Sequence, residues 1–170
     1  MELTEYKTRI LPLKDKLYRF ARQLTQHDGE AQDIVQEVFI RLWERRSVLK
    51  KYRQPEALAM VITKNLSLDF LKTKRSQAVD LEEAKYSVDV DSPEKRMELQ
   101  DAGETIRSIF SMLPEQQRMV IHLRDVEEME FDEIAEITGM SVNNIRVNLS
   151  RSRKTVREAY LKWENYAERD

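Results

Sequence analysis

The sequence predicts an all-α protein with two small helical domains joined by an acidic linker, the second domain containing a helix-turn-helix. Three observations carry this expectation. Apolar residues recur three or four positions apart through most of the chain, the spacing that gathers them on one face of a helix. Only three glycines occur among 170 residues, of which 35% are charged, a balance that favours helices with short connections. The stretch FDEIAEITGMSVNNIRVNLSRSRKTVR, from Phe131 to Arg157, reads as two helices around one tight turn.

The elements follow in order. Ile10, Leu13, Leu17, Phe20, Ala21 and Leu24 mark an amphipathic helix with Pro12 near its start, broken by His27, Asp28 and Gly29. In EAQDIVQEVFIRLWERRSVL a wide apolar face of Ile34, Val35, Val38, Phe39, Leu42 and Trp43 stands opposite Asp33, Gln36, Glu37, Arg41 and Glu44. Pro55 sits in the first turn of a third helix, built on Leu58, Val61, Ile62, Leu66, Phe70 and Leu71 and ending in KTKRS. Residues 1–76 therefore form the first domain.

Apolar periodicity then lapses. Asp80, Glu82, Glu83, Asp89, Asp91 and Glu94 face a single Lys85, so residues 77–93 read as an acidic linker. Residues 94–170 form the second domain. Met97, Ile106, Ile109, Phe110 and Leu113 supply a helix weakened at Gly103, and Pro114 begins another in which Met119, Val120, Ile121 and Leu123 face inward. The two-helix motif follows, and Tyr160, Leu161 and Trp163 of the tail are expected to pack back on this domain.

Within the motif, Phe131, Ile134, Ala135 and Ile137 form an apolar stripe, and Gly139 permits the left-handed backbone a sharp reversal needs. Ser141 is placed to cap the next helix, which buries Val142, Ile145 and Leu149. Asn143, Asn144, Arg146, Asn148, Arg151 and Arg153 lie on its other faces, and no carboxylate occurs between Ser141 and Arg157. Amides can pair with adenine edges and guanidiniums with guanine or phosphate, so the second helix suits DNA. A surface helix with a merely solvated polar face is the alternative.

Charge and composition exclude other classes. A net charge of −2 argues against nonspecific coating of nucleic acid. Basic residues gather at Arg41 to Arg53, Lys64 to Arg75 and Arg146 to Arg157, and acidic ones at Asp80 to Glu94, which suggests separate surfaces for separate partners. With no cysteine, disulfides and thiolate metal sites are excluded, which suits a reducing cytoplasm. Neither a signal peptide nor a membrane-spanning segment is expected. His27 and His122 are the only histidines, and no phosphate loop or paired nucleophile and base occurs, so neither an enzyme nor a cofactor is expected.

Three blocks in order carry a family resemblance: DIVQEVFIRLW at Asp33 to Trp43, NLSLDFLKTKR at Asn65 to Arg75, and LPEQQRMVIHLRDVEEMEFDEIAEITGMSVNNIRVNLSRSRKTVRE at Leu113 to Glu158. The chain resembles the extracytoplasmic-function sigma factors of the sigma-70 family. The resemblance implies an alternative sigma transcription initiation factor. Residues 1–76 would be a region 2-like domain that binds core RNA polymerase and the melted minus-ten element. Residues 94–170 would be a region 4-like domain that reads the duplex minus-thirty-five element.

It also implies roles for single residues. Asp33, Gln36 and Glu37 match the motif for the clamp helices of the polymerase's largest subunit; the other reading of that patch is a solvated face paired internally, Glu37 with Arg41. Asn65 matches the position near the flipped minus-ten base, with Lys64, Lys72, Lys74 and Arg75 on phosphates. Leu58 and Met60 stand where relatives often have aromatics, and Tyr52 is the nearest aromatic. Ser141, Asn143, Asn144, Arg146 and Asn148 fall where the recognition helix meets base pairs, with Arg151, Arg153, Lys154 and Arg157 facing phosphates. Asn148 replaces a usual basic residue, and Glu130 stands where a capping serine or threonine is common. Promoter DNA, core polymerase and an anti-sigma regulator, commonly itself membrane-bound, are the implied partners of a cytoplasmic protein. An ordinary helix-turn-helix activator or repressor would share the second motif but would not require the DIVQEVFIRLW patch. The linker permits both packed and open domain arrangements.

Overall fold

The computed structural model describes residues 1–82 and 102–169. Every regular element among the described residues is helical. The first half comprises α1 (Leu3–Arg9), a 3-10 turn (Leu11–Leu13), α2 (Lys14–Thr25), α3 (Asp28–Glu44), α4 (Arg46–Leu49) and α5 (Pro55–Glu82). The second comprises α6 (Ala102–Ser111), α7 (Glu115–Ile121), a π-helical turn (His122–Val126), α8 (Phe131–Thr138) and α9 (Val142–Ala167).

The run from Ile10 to Leu24 is not one helix. Pro12 has no N–H to donate and sits in the 3-10 turn, so α2 starts only at Lys14. Ahead of it lies α1, which has no apolar stripe to announce it and is held by Tyr6: the ring packs edge-on to Trp43 at 5.1 Å, and the hydroxyl donates to the Phe39 carbonyl at 2.7 Å. The break between α2 and α3 is a tight corner in which Gln26 takes a left-handed φ of 55°. His27 then caps α3, its Nδ1 accepting the Glu30 N–H at 3.0 Å, while Asp28 and Gly29 already belong to that helix.

Two boundaries differ from expectation. α5 runs past Ser76 to Glu82, so the start of the expected linker is helical, and residues 83–93 of that linker, like Met97, lie outside the described residues. Gly103 lies in the first turn of α6, where it breaks nothing. The tail continues α9 to Ala167; Tyr160 and Trp163 are half-buried with rings 5.4 Å apart, but Leu161 is exposed.

The two halves pack against each other. α2 lies against α6, α7 and the π-helical turn, and α5 lies against α8. Buried side chains from Tyr6 to Leu149 form one continuous core, with Leu17, Phe20 and Leu24 of α2 fully excluded from solvent. Each such side chain contributes about 1.5–3 kcal/mol relative to exposure. Across the boundary Phe20 stacks on His122 with centroids 5.6 Å apart.

Candidate nucleic-acid and protein interfaces

The second half presents its surface on α9. Gly139 closes α8 at φ 73°, a conformation strained for any residue with a Cβ, and returns its N–H to the Ala135 carbonyl at 2.9 Å. Ser141 Oγ accepts the Asn144 N–H at 3.1 Å, so the expected cap on α9 is present. Glu130 does the work of the missing serine or threonine at the start of α8: it forms a capping box with Glu133, whose carboxylate accepts the Glu130 N–H at 2.8 Å.

α9 buries Ile145, Asn148, Leu149 and Ser152. At about 100° per residue, the opposite arc runs from Arg153 and Arg146 through Arg157, Ser150, Asn143, Lys154 and Val147 to Arg151 and Asn144. All nine are exposed. The helix N-terminus adds partial positive charge to this face, which carries no carboxylate between Ser141 and Arg157; Glu158 is the first acid on it. Beside it lies a shallow groove lined by Phe131, Arg146, Leu149, Ser150, Arg153 and Arg157. The Arg146 guanidinium lies 5.4 Å, and that of Arg124 4.7 Å, from the Phe131 ring centre.

Two expected residues are placed differently. Asn148 is buried, and its side-chain N–H groups donate to the Asn144 carbonyl at 2.9 Å and to Asn144 Oδ1 at 3.0 Å, so it orients Asn144 instead of joining the exposed face. Arg153 is exposed but already engaged, donating to both oxygens of Asp125 at 2.9 and 2.6 Å. Val147 and Ser150 also stand mid-face, although neither residue type points to DNA. Their signal was available, four and seven positions after Asn143 on a helix.

On α3 the buried stripe of Ile34, Val35, Val38 and Leu42 turns Asp33 and Gln36 to solvent, with Glu37 half-buried beside them. Glu37 accepts from Arg41 Nε at 2.7 Å, the internal pair that the solvated-face reading expects. Phe39 is half-buried, and the exposed apolar side chain next to the acidic residues is Ile40, at 53% exposure.

On α5, helical spacing puts Lys64, Asn65, Lys72 and Arg75 within an arc of about 100°, with Lys74 about half a turn from Asn65. Asn65, Lys72, Lys74 and Arg75 are exposed, whereas Lys64 is half-buried and burial lowers its pKa. Met60 is fully buried in the core and Leu58 half-buried. Tyr52, ahead of α5, is 46% exposed. Arg75 Nη2 donates across the boundary between the halves to Glu115 at 3.0 Å.

Comparison with known proteins identifies this arrangement. A model of sigma-70 region 2 matches residues 10–77, and a model of sigma-70 region 4 matches residues 103–156. The sigma factor SigV of Bacillus subtilis is 30% identical over 154 residues, spanning 88% of this chain and 87% of that protein. The chain belongs to the sigma-70 family, among its extracytoplasmic-function members. The extracytoplasmic-function sigma factor SigE of Mycolicibacterium smegmatis is 29% identical over 87% of this chain, and the chain spans 58% of that relative's length. A solved complex of the sigma factor RpoE with the anti-sigma factor NepR from Bartonella quintana shares the fold, with a TM-score of 0.71, 19% identity and coverage of 92% of this chain and 97% of that one.

In sigma terms, region 2 holds the α3 acidic patch and the basic face of α5, and region 4 holds the helix-turn-helix. Region 4 also carries a buried acid. Burial pushes the Glu127 carboxyl up, but the two hydrogen bonds and the charge of Arg19, with the His122 imidazole 3.3 Å away, outweigh it and bring the pKa to about 2. Among the described residues no helix is long and apolar enough to cross a membrane, and no cluster of His, Cys, Asp and Glu could hold a metal ion.

Proposed function

We propose that this chain is an alternative sigma factor that binds core RNA polymerase and directs it to specific promoters from the cytoplasm. The observation that carries the reading is the capped, exposed face of α9 in region 4, free of carboxylates from Ser141 to Arg157, on a chain whose region 2 displays a separate acidic patch. Asp33, Gln36 and Glu37, with Ile40 as an apolar centre, bind the clamp helices of the largest polymerase subunit. Breaking the Glu37–Arg41 pair costs little, because the charged ends of both side chains remain in contact with water, each side chain being a little under half exposed.

Asn65 meets an unpaired minus-ten base, while Lys64, Lys72 and Arg75 on the same arc, and Lys74 beyond it, meet phosphates. Tyr52 offers an exposed ring for stacking, a role the buried Met60 cannot fill. At the minus-thirty-five element Asn143, Asn144 and Arg146 read base edges, Val147 suits a thymine methyl, and Arg151, Lys154 and Arg157 hold phosphates. An anti-sigma protein, like the one bound to the Bartonella relative, is the expected regulator.

The test is transcription in vitro with purified core polymerase. The chain should confer initiation at a defined promoter that core enzyme alone ignores. Binding of duplex DNA without any such initiation would make it an ordinary helix-turn-helix regulator.

A further inference from the structure

The boundary between the halves holds more than apolar contact. Arg19 of α2 donates from Nε and Nη2 to the two carboxylate oxygens of Glu127 at 2.8 and 2.9 Å, across 108 positions of sequence. The Glu127 side chain is only 2% exposed, and His122 Nε2 lies 3.3 Å from its Oε1. Phe20, next to Arg19, stacks on that same imidazole. A buried carboxylate is costly unless paired, and here the pairing cation comes from the other half of the molecule. A second bridge, Arg75 to Glu115, joins the C-terminal part of α5 to the start of α7 beside the buried Arg118.

These contacts conflict with the work proposed above. Two DNA elements about 25 base pairs apart are separated by about 85 Å at ~3.4 Å per step. A compact chain of this length has a radius of gyration of about 15 Å. The packed molecule therefore cannot touch both elements at once. Residues 83–101 have a maximum reach of about 65 Å at ~3.4 Å each, so the chain is long enough to let the halves part.

We infer that the Arg19–Glu127 pair, seated on the Phe20–His122 stack and backed by Arg75–Glu115, is a latch that holds free sigma closed and must release before both promoter elements can be engaged. The inference rests on the sigma reading for its consequence but not for its geometry. Arg75 gives the latch a direct link to DNA, because the guanidinium held by Glu115 lies on the arc of α5 assigned to minus-ten phosphates. Closure and promoter binding compete for one cation.

The chain has no cysteine, so Ser47→Cys and Met112→Cys place one spin label on each half of the full-length protein at exposed positions. Pulsed electron resonance on the free protein should give one short, narrow distance distribution. Arg19→Ala and Glu127→Gln should each shift roughly tenfold more molecules to a long distance, the change expected for loss of a charge-assisted pair. Because both act on one pair, the double variant should open no further than Glu127→Gln alone, whereas Glu115→Gln should add to either. Arg19→Lys, which keeps the charge, should fall between wild type and Arg19→Ala, and unchanged far-ultraviolet helicity shows that the variants fold.

With core polymerase and promoter at limiting sigma, the opened variants should raise initiation. A long or broad distance in the free wild type, or distances that the variants leave unchanged, overturns the latch. Opening without any gain in initiation overturns its role as a brake. No initiation by wild type or any variant overturns the sigma reading instead, and the label distances still decide whether the latch exists.

Discussion

Glu127 and the face of α9 are where single side chains make measurable statements. The Glu127 pKa falls from 4.5 to about 2 on folding, so the carboxylate stabilises the folded chain fully above about pH 4.5 and loses that contribution as pH falls toward 2. The contribution at neutral pH is roughly 3 kcal/mol. Thermal melts from pH 6 to pH 2.5 should therefore show wild type losing its advantage over Glu127→Gln as the acid is protonated. On α9, Arg146→Ala should relax preference at one base pair by about 1–3 kcal/mol, whereas Lys154→Ala should weaken binding to all sequences and lower the salt slope by about 1. Binding titrations on a promoter and its single-base variants at several salt concentrations separate the two. Asn148 shows what residue type alone conceals: two of its near neighbours on the helix, Asn144 and Arg151, are exposed, but its own angular position places it on the buried side with Ser152 and Ile145.

Among elements, the helix-turn-helix was the most readable, because its signals are short-range. A glycine at the reversal, a serine three positions before the amide it caps, and apolar spacing on both sides need no knowledge of the rest of the chain. Ser141→Ala should cost about 1 kcal/mol of stability in denaturant unfolding, and should weaken promoter binding by loosening the first turn of α9. The acidic cap of α8 was visible as Glu130 and Glu133 but did not match the usual residue at the cap position. α1 was not readable: its seven residues bury only Tyr6, and their reason for being helical is a hydroxyl reaching Phe39, 33 positions away. The face of α3 was readable as a face but not in its detail, since helical spacing cannot say that Ile40 is the apolar residue left outside. Asp33→Lys should leave helicity and melting temperature unchanged while abolishing co-purification with core polymerase. Retained binding would return α3 to a solvated surface.

For the whole molecule, the expected division into two helical halves is present as an order of elements, but the core ignores it. The contacts that join the halves link α2 to α7 and α5 to α8, and no local pattern encodes a partner 108 residues away. Urea unfolding of the wild type should consequently follow one cooperative transition, and the Arg19→Ala/Glu127→Gln double variant should resolve into two, one for each half. The Arg75–Glu115 bridge adds an ionic consequence. A free lysine or arginine that lands on a phosphate expels condensed counterions from the DNA, and each such contact steepens the fall of affinity with salt. An Arg75 that moved to a phosphate, as proposed, would come instead from a carboxylate, which recruits cations of its own from solution once abandoned. The ions released at the DNA are partly taken back by the protein, so promoter binding by this chain should depend on salt less steeply than its phosphate contacts imply. Glu115→Gln should restore the missing steepness.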